Sequence, residues 1–164
     1  MSSARLEPRW CEDRAALRFI ALRFAPLAGA LNLAWEVAQL PLYALWRDAA
    51  PAFKAYAVLH CTLGDVLIVT SALVIALLVT GAGSPRAWRW GAIAALTVAI
   101  GLGYTVFSEW LNTVVRDGWA YAAAMPTVRI GGLELGLSPL SQWLVVPPLA
   151  LLLARSRRYR SPVH

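Results

Sequence analysis

Four long apolar blocks, a lopsided placement of arginines and a Gly-Gly pair between alternating runs predict an all-α integral membrane protein. The predicted architecture is a four-helix bundle, N-in and C-in, with a short β-hairpin on its outer face. The chain has 164 residues, 59% of them hydrophobic and 15% charged, and its mean hydropathy is +0.58. The apolar residues run in blocks at about 24–46, 55–80, 90–115 and 137–154. Each block is near the ~20 residues that cross a bilayer as a helix, the last at the low end of that range. A soluble chain would need to be far larger to enclose four such helices.

The first block follows a basic leader, Arg5 to Arg23, as the apolar part of a signal peptide would. Its length and the polar residues in its middle predict a retained anchor instead. With four crossings and a cytoplasmic N-terminus, the inner side holds Arg5, Arg9, Arg14, Arg18, Arg23, Arg86, Arg89, Arg155, Arg157, Arg158 and Arg160. The outer side holds only Arg47, Lys54, Arg116 and Arg129. That bias predicts a multi-pass membrane protein with both termini in the cytoplasm. It also accounts for the net charge of +6 without a nucleic-acid partner. The "RSRRYR" tail is expected either to touch anionic lipid headgroups, at about 1 kcal/mol per basic residue, or to act as a solvated topology determinant. Cys11 and Cys61 fall at different depths and are not expected to pair. There is no Cys-x-x-Cys, His-rich tract, P-loop or repeat, and no cofactor or metal is specified.

Taken in order, residues 1–23 form a cytoplasmic segment, partly an interfacial helix. In "DRAALRFIALRF" Leu17, Ile20 and Phe24 are expected on one face and Arg14 and Arg18 on another. Residues 24–154 form a single transmembrane domain, and 155–164 a basic cytoplasmic tail. Pro26 and Pro41 bracket the polar part of the first span and are expected to bend it. Beyond the third span, "TVRIGGLELG" alternates around Gly131-Gly132, which predicts a hairpin with Arg129 opposite Glu134. Val128, Ile130, Leu133 and Leu135 then share the other face, which is expected to lie against the bundle as a lid. Trp119 and Tyr121, like Trp46, Trp88 and Trp90, suit the membrane interface.

The candidate site follows from depth. In "NLAWEVAQLPLYALW" Asn32, Glu36, Gln39 and Tyr43 are spaced 4, 3 and 4, one stripe of a helix. Thr105, Glu109, Asn112 and Arg116 repeat that spacing on the third span. Ala28 and Ala25, and Gly101 and Ala94, continue the two stripes inward as small residues that allow close helix approach. His60 and Asp65 on the second span, and Ser108, Ser141 and Gln142 on the third and fourth, fall at the same outer depth. His60 and Asp65 are five apart and cannot both point into one cavity; Asp65 shares a face with Cys61. The inner halves are nearly all apolar.

A charge at mid-bilayer costs about 2.5–3.5 kcal/mol on insertion scales. Three carboxyls in one small bundle therefore require a proton among them, or pairing with His60 or Arg116. Glu36, Glu109, His60 and Asp65 are the catalytic candidates, as acid–base groups. Asn32, Gln39, Asn112, Trp35, Trp110, Gln142 and Trp143 are the substrate-binding candidates. The amides and hydroxyls also have a plain reading, as hydrogen-bond glue between helices.

"NLAWE" resembles the Asn-x-x-Trp-Glu element in the first acidic motif of membrane-bound terpene cyclases of fungal meroterpenoid pathways. That resemblance covers five residues and implies a proton-donor role for Glu36 alone. "NLAWEVAQLPLY", "HCTLGD", "SEWLN" and "SPLSQWLVVPP" together resemble a small bacterial membrane-protein family, which implies no activity. The expected function is a small membrane enzyme, of an isomerase or cyclase type, with carboxylate and His acid–base chemistry on a lipid or isoprenoid-like substrate. Proton- or cation-coupled transport, a metal site built from His60, Glu36, Asp65 and Glu109, and an assembly or binding subunit are the alternatives. A homo-oligomer would be needed to complete a transport path, because the inner halves offer no polar continuation.

Overall fold

The structure is a computed structural model and describes residues 9–116 and 118–156. Arg5 and the basic tail beyond Ser156, on which the anionic-headgroup contact was expected, lie outside the described residues.

Asp13 starts helix α1 by accepting the Ala15 N–H at 2.7 Å, a standard N-cap. Helix α1 then runs Arg14–Leu42. It is α-helical over Arg14–Phe19, opens into a π turn over Ile20–Phe24, is α-helical again over Ala25–Gln39, and tightens to a 3-10 turn at Leu40–Leu42. The segment expected to be an interfacial helix leading into the first span is continuous with it, as the first part of α1. Its buried face is Ala16, Phe19, Ile20 and Phe24, whereas Leu17 is exposed. The π turn explains the difference: it adds a residue to the turn, so Phe19 and Phe24 reach the same side although five apart. The turn lies just before Pro26, which has no N–H to give the Leu22 carbonyl. Pro41 has the matching effect at the other end. The helix stops at Leu42 rather than running to 46, and Tyr43 is extended, with φ −107 and ψ 146.

A short helix α2, Leu45–Asp48, leads to α3, Pro51–Val79. Pro51 stands in its first turn, where the missing N–H is harmless, so the second block starts four residues earlier than expected. Helix α4 runs Trp90–Val115, ending in a π turn over Leu111–Val115. Strands β1, Thr127–Ile130, and β2, Leu133–Gly136, precede α5, Leu137–Ser156. Helices α1, α3, α4 and α5 are each long and apolar enough to cross a membrane. They pack as a ring: α1 on α3, α3 on α4, α4 on α5 and α5 back on α1.

The bundle has an apolar outer surface and, at one end, a polar interior. Leu22, Leu63 and Leu67 are 66–72% exposed, while Glu109 and Gln142 are at most 4% exposed. A soluble bundle would reverse this; lipid makes it favourable, since tails accept leucine and the polar groups find partners within. The core is apolar at one end, with Phe24, Leu73, Leu77, Ile93 and Leu151 buried, and polar at the other. Between them the Trp143 ring lies flat on Gly101, where any added Cβ would overlap it. On α4 the buried stripe is Ile93, Thr97, Gly101, Thr105 and Glu109, a strict four-residue spacing that replaces the expected Ala94. Pro147 and Pro148 lie inside α5 and remove the N–H partners of the Trp143 and Leu144 carbonyls.

The hairpin has the expected register, with Arg129 paired to Glu134. Gly131 and Gly132 have φ of 58° and 84°, as a two-residue turn of type I′ requires. Its apolar face is only partly covered: Leu135 is buried, Val128 and Leu133 are half-buried, and Ile130 is exposed. Beside it, residues 118–126 are tied to the end of α1. Ala44 donates to the Ala120 carbonyl and Ala122 to the Leu42 carbonyl, both at 2.9 Å, around a Tyr43–Tyr121 bridge.

Candidate functional site

Asn32, Glu36 and Gln39 share the buried stripe of α1, because spacings of four and three keep one helix face. Gln142 reaches them from α5. Its Nε2 lies 2.9 Å from Asn32 Oδ1, 2.8 Å from Asp65 Oδ2 and 3.4 Å from Glu36 Oε1. An amide nitrogen carries two hydrogens, so the two shorter contacts are its hydrogen bonds and Glu36 is the third acceptor. Glu36 Oε1 also accepts from Gln39 Nε2 at 2.6 Å. Gln39 Oε1 in turn accepts from the Ser138 hydroxyl at 2.9 Å. Glu36 and Asp65, from two helices, thus converge on one nitrogen. They lie within hydrogen-bonding range of each other when one is protonated.

Glu109 forms a second carboxyl position. Its Oε2 accepts from the Tyr121 hydroxyl, which also accepts the Gly136 N–H at 3.0 Å. The Trp119 indole N–H approaches the same carboxylate without reaching hydrogen-bond geometry. Tyr43 stands between the two positions: burial first, then the charges of Glu109 and Glu36, push its phenol pKa up. Burial and the bond to Glu109 likewise push Tyr121 up, so both phenols stay protonated donors.

Among the described residues several buried donors have no partner, including Asn32 Nδ2, Trp35 Nε1 and Thr62 Oγ1. Asn32 is only 3% exposed. Such groups are rare in folded proteins, and each one needs a physical reason.

The structure brings together Asn32, Glu36, Gln39, Asp65 and Gln142, and sets Glu109 beside Tyr121. The other expected site residues lie elsewhere. His60 is exposed and stacks on Tyr56, with ring centroids 5.5 Å apart, because the core face of α3 is Val58, Thr62 and Val69. Asn112 donates to the Ser108 carbonyl of its own helix at 2.8 Å. Arg116 is exposed beyond the π turn, which breaks the expected stripe and removes both proposed cationic partners for the carboxyls. Trp110 is exposed and packs on Phe107. Trp143 is a core residue on Gly101. Among the described residues no three His, Cys, Asp or Glu side chains converge as metal ligands, so the four-residue metal set does not assemble.

Two contributors were not anticipated. Ser138 sits one turn before Gln142 and donates to Gln39, so extending that stripe backward would have found it. Tyr121 joins through a loop, and no local pattern signals it. The chain matches no protein-family model, no curated protein and no solved structure, so the likeness carried by "NLAWE" rests on those five residues alone.

Proposed function

We propose that this chain is a multi-pass enzyme of the bacterial inner membrane, with both termini in the cytoplasm, that performs acid–base chemistry on a lipid or isoprenoid-like substrate. The observation that carries this reading is the convergence of Glu36 and Asp65 on Gln142 Nε2 at 3.4 and 2.8 Å. Two carboxyls so close in a low dielectric share a proton rather than ionise together, which leaves one acid and one base side by side. Glu36 is the proton donor and Asp65 its partner. The unpartnered Asn32 Nδ2, on a side chain that already meets Gln142, suits an oxygen atom on the substrate. Glu109, held by Tyr121, is a second acid–base group or orients the polar end of the substrate. The apolar floor at Phe24, Leu73 and Ile93 suits the chain of an amphipathic molecule and opposes a continuous proton path, which favours the enzyme over transport.

The test is comparative lipid analysis. Membranes of cells producing the native chain, Glu36→Gln or Asp65→Asn are extracted and profiled by mass spectrometry. The native chain should shift the abundance of at least one lipid or isoprenoid species, and both variants should abolish the shift while folding normally. Unchanged profiles, together with proton flux through liposomes that Glu36→Gln blocks, would replace this reading with transport.

A further inference from the structure

At the end of the bundle opposite the polar cluster, a cavity of about 310 Å³ is lined by Arg9, Arg89, Ala87 and the turn Thr80 to Gly83. The turn closes α3. Gly81 has φ +60°, the left-handed conformation that ends helices, and Ala82 donates to the Leu77 carbonyl at 2.9 Å. Both arginines adjoin residues pinned to this turn. The Trp10 N–H donates to the Ala82 carbonyl at 3.1 Å, which straps the segment before α1 across the turn and brings Arg9 with it. The Trp88 indole donates to the Gly83 carbonyl at 2.8 Å. Its ring meets Phe19 edge-on at 5.3 Å and lies 5.0 Å from Trp90, so Arg89 stands between two packed indoles.

Among the described residues neither guanidinium has a carboxylate partner, and the only ion pair is Arg129–Glu134 on the hairpin. Of the described residues, the acidic groups nearest Arg9 in sequence are Glu12, which is exposed, and Asp13, whose Oδ1 caps α1. The Thr80 hydroxyl is turned into its own helix, onto the Ala76 and Leu77 carbonyls. The wall therefore carries two arginines and the backbone of the turn, and among the described residues nothing acidic lines it.

We propose that this cavity binds a phosphate group through Arg9 and Arg89, either the phosphate of an anionic lipid headgroup or free phosphate. Guanidinium forks match phosphate oxygens in pairs. The indoles of Trp88 and Trp90 are the side chains that settle at headgroup level, which places the cavity where a lipid phosphate lies.

The experiment is native mass spectrometry of the full-length, delipidated protein in detergent. It is titrated with phosphatidylglycerol, with phosphatidylcholine and with inorganic phosphate. Phosphatidylglycerol should be retained in preference to phosphatidylcholine, and inorganic phosphate should displace it. The double variant R9Q/R89Q should bind at least about tenfold more weakly, a difference of about 1.4 kcal/mol, while R47Q at the far end should bind as the native chain does. Binding of inorganic phosphate without phosphatidylglycerol supports the site with a soluble source. Equal retention of both lipids, retention unchanged in R9Q/R89Q, or binding of neither probe overturns the proposal. If R9Q/R89Q does not elute as folded protein, R9K/R89K decides. It keeps the charge and loses the fork, so a loss of about threefold or more supports the site and native-level binding overturns it.

Discussion

The Tyr121 hydroxyl donates to the Glu109 carboxylate while accepting the Gly136 N–H at 3.0 Å. One oxygen thus joins the end of α4, the loop crossing the end of α1, and the last residue of β2. Tyr121→Phe removes both bonds and leaves a buried carboxylate without its donor. The expected loss is about 1–3 kcal/mol, read as a lower unfolding temperature in detergent and faster proteolysis of residues 118–136. Unchanged values on both measures would show that Glu109 is held by other groups.

The hairpin pair can be tested by charge exchange and by pH. Arg129 Nη2 lies 3.2 Å from Glu134 Oε2, and the Thr127 hydroxyl lies 2.8 Å from Oε1. Arg129→Glu should speed protease cleavage of the hairpin, and adding Glu134→Arg should restore resistance, a small effect because both groups are exposed. The Thr127 hydroxyl and then Arg129 hold the Glu134 carboxyl below its usual value. A lowered carboxyl stabilises the fold above the ordinary value and ceases to do so as pH falls through the lowered one. Cleavage should therefore be flat from pH 8 to about 5 and rise below about 4, near the ordinary range for glutamate.

Gly101 marks a close approach of α4 to the Trp143 ring of α5. A Cβ there would overlap the Trp143 ring, and both residues are fixed by buried neighbours. Gly101→Ala should destabilise the bundle by about 1–3 kcal/mol or more, as overpacking does. The double variant Gly101→Ala, Trp143→Leu should recover part of that loss. Recovery fails if the strain lies in the α4 backbone rather than at the ring.

Glu36 and Gln142 separate chemistry from packing. Gln142→Leu strips the donor from Asn32 and Asp65 and should lower stability by about 1–3 kcal/mol. Glu36→Gln keeps an acceptor for Gln39 and should leave thermal stability close to native while abolishing the lipid shift. A Glu36→Gln chain with full activity, beside a clearly destabilised Glu36→Leu, would leave Glu36 a packing role.

Topology is open to impermeant thiol labelling in a chain freed of Cys11 and Cys61. Gly131→Cys should label in intact cells and Ser84→Cys only after lysis. Labelling at Ser84→Cys from outside would invert the proposed orientation and move the polar cluster to the cytoplasmic half.

The sequence by itself determined the four apolar helices, the hairpin with its register, and the shared depth of the polar residues. These are local properties: run length sets a span, and a period of two around Gly131-Gly132 pairs Arg129 with Glu134. The stripe of Asn32, Glu36 and Gln39 was legible for the same reason, since helical spacing alone defines a face. Tertiary structure decided which stripes meet and where they break. The π turns at Ile20–Phe24 and Leu111–Val115 change residues per turn, so Phe24 replaced Ala25 on the buried face and Arg116 left the site. On α3 the choice between His60 and Asp65 depended on which side faces α1 and α5, and a helix apolar on nearly every side carries little signal of that rotation. Tyr121 was beyond local reading altogether, because its place depends on a loop folding back onto Leu42 and Ala44, some eighty residues earlier in the chain.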